Sequence, residues 1–216
     1  YLNMKFDIIT IFPKILDSYF NESILKRAQK NKKVKIITHD LRKCSKDKHK
    51  NTDDSPYGGG PGMIMMIQPL YNCLKKIRRK KNSRVIMLDP AGKQFDQKTA
   101  LRYSKLDQLI FICGRYEGID ERISNYVDEK ISIGPYVLSG GELGAAVITE
   151  AVARLIPGVL GSKDSLQYET FSGEKSDIVE YPQYTRPESF KDMNVPKILL
   201  SGNHKEIDKW RKNKKK

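Results

Sequence analysis

Cysteine and histidine are scarce in this chain, at three residues each among 216. Cys44, Cys73 and Cys113 lie far apart, form no Cys-x-x-Cys pair and are odd in number. A disulfide framework and a structural zinc site are therefore not expected, and the pattern suits a reducing compartment. His39, His49 and His204 have no metal-ligand spacing, which argues against metal-dependent hydrolysis at an all-protein site. Long apolar runs are missing too. No segment is long enough to span a bilayer, and the first residues lack the apolar core of a secretion signal. A cytoplasmic protein with no membrane partner is the expectation. The chain starts at Tyr1, with Met4 a candidate natural start. The common nucleotide motifs are also absent. No glycine-rich stretch is a GxGxxG opening a first helix, and none is a GxxxxGK followed by Ser or Thr. A nucleoside triphosphate or a conventional dinucleotide is poorly supported.

Negative charge is in short supply. Forty Lys and Arg face 26 Asp and Glu, for a formal net charge of +14. A chain this basic is expected to meet a polyanion, with nucleic acid the leading class. The cations are partly clustered, in KKIRRKK at 75–81 and KWRKNKKK at 209–216. A hydrophobic content of 38% is adequate for a packed core at this length.

What is present alternates between two periods. FDIITIF (6–12), VKIITHD (34–40), RVIMLDP (84–90), QLIFICG (108–114) and KISIGPY (130–136) read as short, mostly buried strands. KILDSYFNESILKRAQKN (14–31) and KTALRYSK (98–105) read as helices between them. This alternation predicts an α/β fold with a largely parallel sheet. The clearest helix follows Ser139. Leu143, Val147, Ala151 and Leu155 recur at steps of four and are expected to form its apolar face. Ser139 and Glu142 have capping-box spacing. Residues 158–177 are rich in Gly, Ser and charge and read as a linker. Beyond it, 178–216 contains a small amphipathic helix opened by Gly202 and Asn203, too short for a core of its own.

Four corners of the α/β part bear glycines: SPYGGGPGM (55–63), LDPAGK (88–93), CGRYEGIDER (113–122) and IGPYVLSGGE (133–142). Three of them follow strand runs, so they can converge beyond the carboxyl ends of a parallel sheet, where open α/β folds bind ligands. The last resembles a phosphate-binding turn, yet it holds no Lys or Arg and ends on Glu142. Its ligand should want backbone amides and apolar walls rather than positive charge.

Taken together, GRYEGIDER, IGPYVLSGGELGA, SPYGGGPGM, ARLIPGVLG and YPQYTRP closely resemble the bacterial tRNA (guanine-N1)-methyltransferases of the knotted SPOUT class, across residues 4–187. Five linked motifs are far more specific than any one glycine loop. The resemblance implies an α/β methyltransferase domain over 4–157, with a deep trefoil knot in its parallel sheet. It also implies a linker at 158–177 and a short helical tRNA-binding segment at 178–216. It implies a homodimer with the active site at the subunit interface, S-adenosylmethionine as methyl donor, and N1 of guanine 37 in tRNA as acceptor. Carried over motif by motif, Leu88, Pro90, Gly114, Tyr116, Glu117, Gly118, Ile133, Gly134, Tyr136, Leu138, Gly140 and Gly141 would line the donor pocket. Arg154 and Glu169 would be catalytic, and no metal site is implied. The chain departs from the family pattern at Pro135, where an acidic residue is usual, at Gln183, where His is usual, and at Glu169, where Asp is usual. Two other readings fit the same motifs. One is an RNA-binding protein of this fold without turnover, and the other is a methyltransferase acting on ribosomal RNA.

Overall fold

The computed structural model describes residues 4–161, 170–171 and 180–214. It divides into two compact units, residues 1–161 and 162–216. In chain order the first contains β1 (Met4–Thr10), α1 (Asp17–Phe20), α2 (Ser23–Lys30), β2 (Val34–Asp40), β3 (Asp53–Asp54), β4 (Ile64–Met65), α3 (Ile67–Lys76), β5 (Ser83–Gln94), α4 (Gln97–Tyr103), β6 (Gln108–Cys113), β7 (Glu129–Ser132) and α5 (Glu142–Arg154). Five strands make one sheet in the order β2-β1-β6-β5-β7, and every pairing in it is parallel.

Period-two alternation divides the apolar side chains of the central strands between two faces. Phe6 and Ile8 of β1, Ile86 of β5, and Leu109, Phe111 and Cys113 of β6 join a cluster under α2, α4 and α5. Ile9 of β1, Val85 and Met87 of β5, and Ile110 and Ile112 of β6 pack on the other face, against Leu70, Cys73 and Ile77 from α3 and its end. Both faces are covered, as a parallel sheet requires.

The helix expected over 14–31 is broken in two. Ser23 has φ 47, and Glu22 caps α2 in an extended conformation, so the helical ladder cannot pass between Phe20 and Ser23. Strand β5 also runs past Pro90, where the sequence pattern stops. Leu88 and Lys93 both pair with Ile131 of β7, so residues 89–92 form an excursion and the strand then resumes. Gly92 is required there. A Cβ would sit 2.6 Å from the backbone N of Ile131 and the carbonyl carbon of Lys130. Helix α3 was not apparent in the sequence pattern.

The second unit has a β8 (Ser189–Phe190) and β9 (Met193–Asn194) hairpin, then α6 (Lys197–Leu200) and α7 (His204–Lys214). Asn203 caps α7, its Oδ1 accepting from the N–H of Glu206 at 3.3 Å. Tyr184 stacks at a tilt on Trp210 of α7, and the Arg211 guanidinium lies 5.2 Å from the Tyr181 ring centre. No described helix is long and apolar enough to cross a membrane.

Candidate active site

Strands β5, β6 and β7 end side by side, so the chain leaving each one enters the same region. The excursion at 89–92, the loop after β6 and the long segment between β7 and α5 enclose a cavity of about 470 Å³. This lies within the range of about 300–1,000 Å³ usual for small-molecule sites. Leu88, Pro90, Gly114, Tyr116, Glu117, Gly118, Ile133, Gly134, Tyr136, Leu138, Gly140 and Gly141 all line it. The fourth glycine corner, 55–63, is tied to the rim instead. Glu117 N donates to Met63 O at 3.1 Å, and Met65 N donates to Gly118 O at 2.9 Å. Gly58, Gly59, Gly60 and Gly62 of this corner all have positive φ, which side-chain-bearing residues rarely adopt.

The loops hold one another by backbone contact. Gly141 N donates to Gly114 O at 3.0 Å, and Gly140 pairs with Arg115 in an antiparallel bridge. A Cβ on Gly141 would come within 2.9 Å of Cys113 Cα and 3.1 Å of Leu88 Cβ. Glycine at 141 thus serves packing between the loops as well as access to the cavity. Tyr116 has φ 61, a left-handed conformation a non-glycine residue adopts only when its surroundings impose it.

The capping box expected at Ser139 and Glu142 does not form. Gly141 is the N-cap residue of α5 and makes no side-chain cap bond. Glu142 turns inward and is 1% exposed. Its Oε1 accepts from Thr10 Oγ1 at 2.6 Å, and its Oε2 lies 2.9 Å from Arg115 Nη2 and 3.0 Å from Nε. Arg115 also stacks over Phe12 at 4.8 Å. Arg115 was not singled out from the sequence. Its signal was the buried carboxylate itself, because a glutamate inside a folded chain requires a cation or donors nearby.

Besides Arg115, the charged groups on the cavity wall are Asp89, Glu117 and Glu121. Glu121 is held below the usual carboxylate range by hydrogen bonds from Lys130 and Ser124, and is ionised at neutral pH. The wall contains no lysine, and its one arginine is paired with Glu142. A strongly basic chain therefore carries a cavity of acidic character. That is the reverse of a phosphate site. Burial, with the Glu142 charge adding to it, pushes the Cys113 thiol at the end of β6 well up, so it is a neutral packing group.

The family described as tRNA (Guanine-1)-methyltransferase TrmD matches residues 4–216. The tRNA (guanine-N(1)-)-methyltransferase of Dictyoglomus turgidum is 50% identical over 209 residues, covering 97% of this chain and 84% of the relative. Its counterpart from Carboxydothermus hydrogenoformans is 51% identical over 210 residues, covering 97% and 81%. That from Staphylococcus aureus is 47% identical over 213 residues, covering 98% and 86%. The chain belongs to the tRNA (guanine-1)-methyltransferase family.

Within that family setting, neither residue expected to be catalytic is among those seen to line the cavity. Glu169 lies outside the described residues. Arg154 is the last residue of α5, while Glu142, next to the cavity-lining Gly141, is the first. Twelve steps at about 1.5 Å each separate them by about 18 Å along the helix axis. One copy of the fold does not bring Arg154 to its own cavity.

The face of α5 also differs from expectation. Leu143 is 58% and Val147 49% exposed. The face turned to the sheet is instead Gly144, Ala145, Ala146, Ile148, Thr149, Val152 and Ala153. Small side chains let the helix lie close on the strands, and a Cβ on Gly144 would meet Leu88 Cδ1 at 2.8 Å. Leu143 and Val147 point away from it. Tyr19 of α1, itself half exposed, hydrogen-bonds to Glu150 of α5 and extends this outer surface.

Proposed function

We propose that this protein transfers a methyl group from S-adenosylmethionine to N1 of guanine 37 in tRNA, as a homodimer built on the knotted SPOUT fold. The observation that carries the donor assignment is the acidic, lysine-free cavity. S-adenosylmethionine has no phosphate, and its sulfonium and ammonium outweigh its single carboxylate, so carboxylates on the wall suit it and a lysine-rich wall would not. Its adenine suits the apolar surfaces of Leu88, Ile133 and Leu138, with loop amides and carbonyls for the ring edge. The knot is supported by the way the segment before α5 is seated against Gly114, Arg115 and Leu88, between neighbouring strand ends.

Two observations favour the dimer. Arg154 is about 15 Å along its helix from Gly144 on its own cavity wall, which suits a site on another copy. The outward Leu143 and Val147, beside Tyr19, give α5 an apolar surface suited to a second copy.

The chemistry follows from guanine. N1 carries a proton at neutral pH and attacks the methyl carbon only as that proton leaves. A carboxylate can take the proton as general base, worth about 10²–10⁴-fold in rate. Glu169 is assigned that role. Negative charge spreading to guanine O6 would be met by the Arg154 guanidinium, in the manner of an oxyanion site. The donor's bond from sulfur to methyl breaks as the bond from N1 to carbon forms, and the sulfonium becomes a neutral thioether.

The test is incubation with labelled S-adenosylmethionine and tRNA transcripts bearing G37 or A37, alongside ribosomal RNA, followed by mapping of the labelled base. Label at N1 of G37 alone supports the reading. Label in ribosomal RNA, or binding without transfer, would replace it with one of the two other readings. Glu169→Gln should cut transfer by at least about 10²-fold with donor binding retained.

A further inference from the structure

The basic run at 75–81 does not stand alone in the fold. It begins in the last turn of α3, and α3 lies against the 3-10 turn at Leu41–Cys44 that follows β2. Leu41, Cys44, Leu70, Cys73 and Ile77 are buried together beneath the junction. Asn72 Nδ2 donates to Cys44 O at 3.0 Å, and Lys76 Nζ donates to Lys43 O at 3.4 Å. A second basic stretch, RKCSKDKHK at 42–50, is thereby fixed beside the first, although some thirty residues separate them in sequence.

Lys43, Lys46, Lys48 and Lys50 are exposed on one side of this junction, and Lys75, Lys76 and Arg78 on the other. None of these seven has a carboxylate within salt-bridge distance among the described residues. Arg79 of the run is paired with Asp128, as are cations elsewhere in the unit: Lys5 with Asp7, Arg102 with Glu129, Arg115 with Glu142, Arg122 with Asp120 and Lys130 with Glu121. The acidic group inside the cluster, Asp47, is engaged with the backbone N–H groups of His49 and Asn51. Holding like charges together in this way costs free energy in the isolated protein, and a polyanion would relieve it.

We infer that this face, built from residues 42–50 and the end of α3, is a binding surface for the RNA phosphate backbone, distinct from both the cavity and the lysine-rich C-terminal run. The inference rests on the proposed tRNA substrate and assigns part of the grip on it to the first unit. RNA is favoured over an anionic membrane because no large hydrophobic side chain within 42–50 or 75–81 is exposed. Membrane-surface elements pair their cations with such groups for insertion. Lysines carried by a loop and a helix end also suit backbone tracking, in which each contact contributes charge without reading sequence.

The experiment compares two full-length variants, each lacking four positive charges. One is Lys46→Gln/Lys48→Gln/Lys75→Gln/Arg78→Gln on this face. The other is Lys26→Gln/Lys30→Gln/Lys98→Gln/Lys105→Gln, on exposed positions of α2, α4 and the turn after α4, over the opposite face of the sheet. Binding of unmodified bulk tRNA is titrated against salt, with thermal unfolding and donor calorimetry as checks of the fold. The face variant should bind at least about tenfold more weakly at 0.1 M salt, with a salt slope shallower by about 2–3. Its KM for tRNA should rise with kcat retained, since the cavity is untouched. The control should change by less than about threefold. Equal losses in the two variants would reduce the effect to net charge and overturn the inference. So would unchanged RNA binding, or a loss seen only with vesicles containing anionic lipid. Because binding is read without turnover, a failure of the methyl-transfer reading leaves this result interpretable.

Discussion

Replacing Glu142 by Gln tests how the cavity is held. The substitution keeps the shape of the side chain and removes its charge at a position 1% exposed. Wild-type Glu142 accepts from Thr10 Oγ1 and makes two contacts of 2.9–3.0 Å with the Arg115 guanidinium. Losing one member of a buried pair costs about 3–5 kcal/mol when the survivor is fully enclosed. Arg115 keeps 17% side-chain exposure, and water can therefore solvate part of its charge. A loss of about 2–3 kcal/mol is the appropriate expectation after that discount. In a domain of this size each kcal/mol moves Tm by about 2–4 °C, so a fall of about 4–12 °C should be seen. Urea unfolding at pH 7 measures the free energy directly. A cycle with Arg115→Met should return a coupling of about 2 kcal/mol, because the neutral amide put in place of Glu142 no longer requires the cation. Donor affinity should fall with stability, because Arg115 is bridged to Gly140 on the cavity wall. An E142Q protein within about 0.5 kcal/mol of wild type, or an additive cycle, would refute the view that this pair clamps β1, the loop after β6 and α5 together.

Acid stability should depend on Asp7. Burial alone would raise its pKa, but hydrogen bonds from His39, Gln108 and Lys5 outweigh burial and hold the carboxyl below its usual 3.8. A group with a depressed folded pKa contributes stability that is present above the unfolded value and lost as pH falls through the folded one. Asp7→Asn should therefore lower stability at pH 7 and flatten its decline below pH 3.8; an unchanged acid limb in urea titrations would contradict this. The three thiols are free and buried, and burial raises the pKa of Cys73 and Cys113. A thiol-disulfide reagent at pH 8 should label fewer than about one in ten of them in the native protein and all three in denaturant. Rapid native labelling of Cys113 would mean that the loops over β6 open readily.

The sheet was legible because its strands are short apolar runs bounded by Pro and Gly. The ranges for β2 and β6 agree with the sequence pattern to within a residue. The break at Ser23 was not legible, because one residue with positive φ leaves apolar periodicity on either side intact. Strand β5 was cut short at Pro90, since a bulge that leaves the ladder and returns looks like a strand end. The cavity wall was read from the glycine corners and from the family resemblance, since loops after adjacent parallel strands have to meet. The orientation of α5 was misread for a physical reason. Steps of four mark a helical face without saying whether it packs within the chain or on something else. On α5 the inward face mixes small residues with Ile148 and Val152, while Leu143 and Val147 of the expected face point outward.

Glu142 shows why the turn before α5 resembles a phosphate site and does not act as one. A helix N-terminus with glycine amides attracts anions, and a basic protein that handles RNA would risk drawing phosphate into it. The first helical residue is itself a carboxylate, and it takes up the one arginine on the wall. The guanidinium is then occupied from within, and a negative charge already stands at the start of the helix. Asp89, Glu117 and Glu121 remain to set the sign of the cavity. On the proposed reading, the two substrates are opposite in charge, one a polyanion and the other a sulfonium cation. A chain of net charge +14 can hold both only if its positive charge is kept on the outer surface and neutralised where the donor sits. The pairing of Arg115 with Glu142 does the second of these. The same pair links Thr10 at the end of β1 to the start of α5, so the neutralising contact is also a structural clamp.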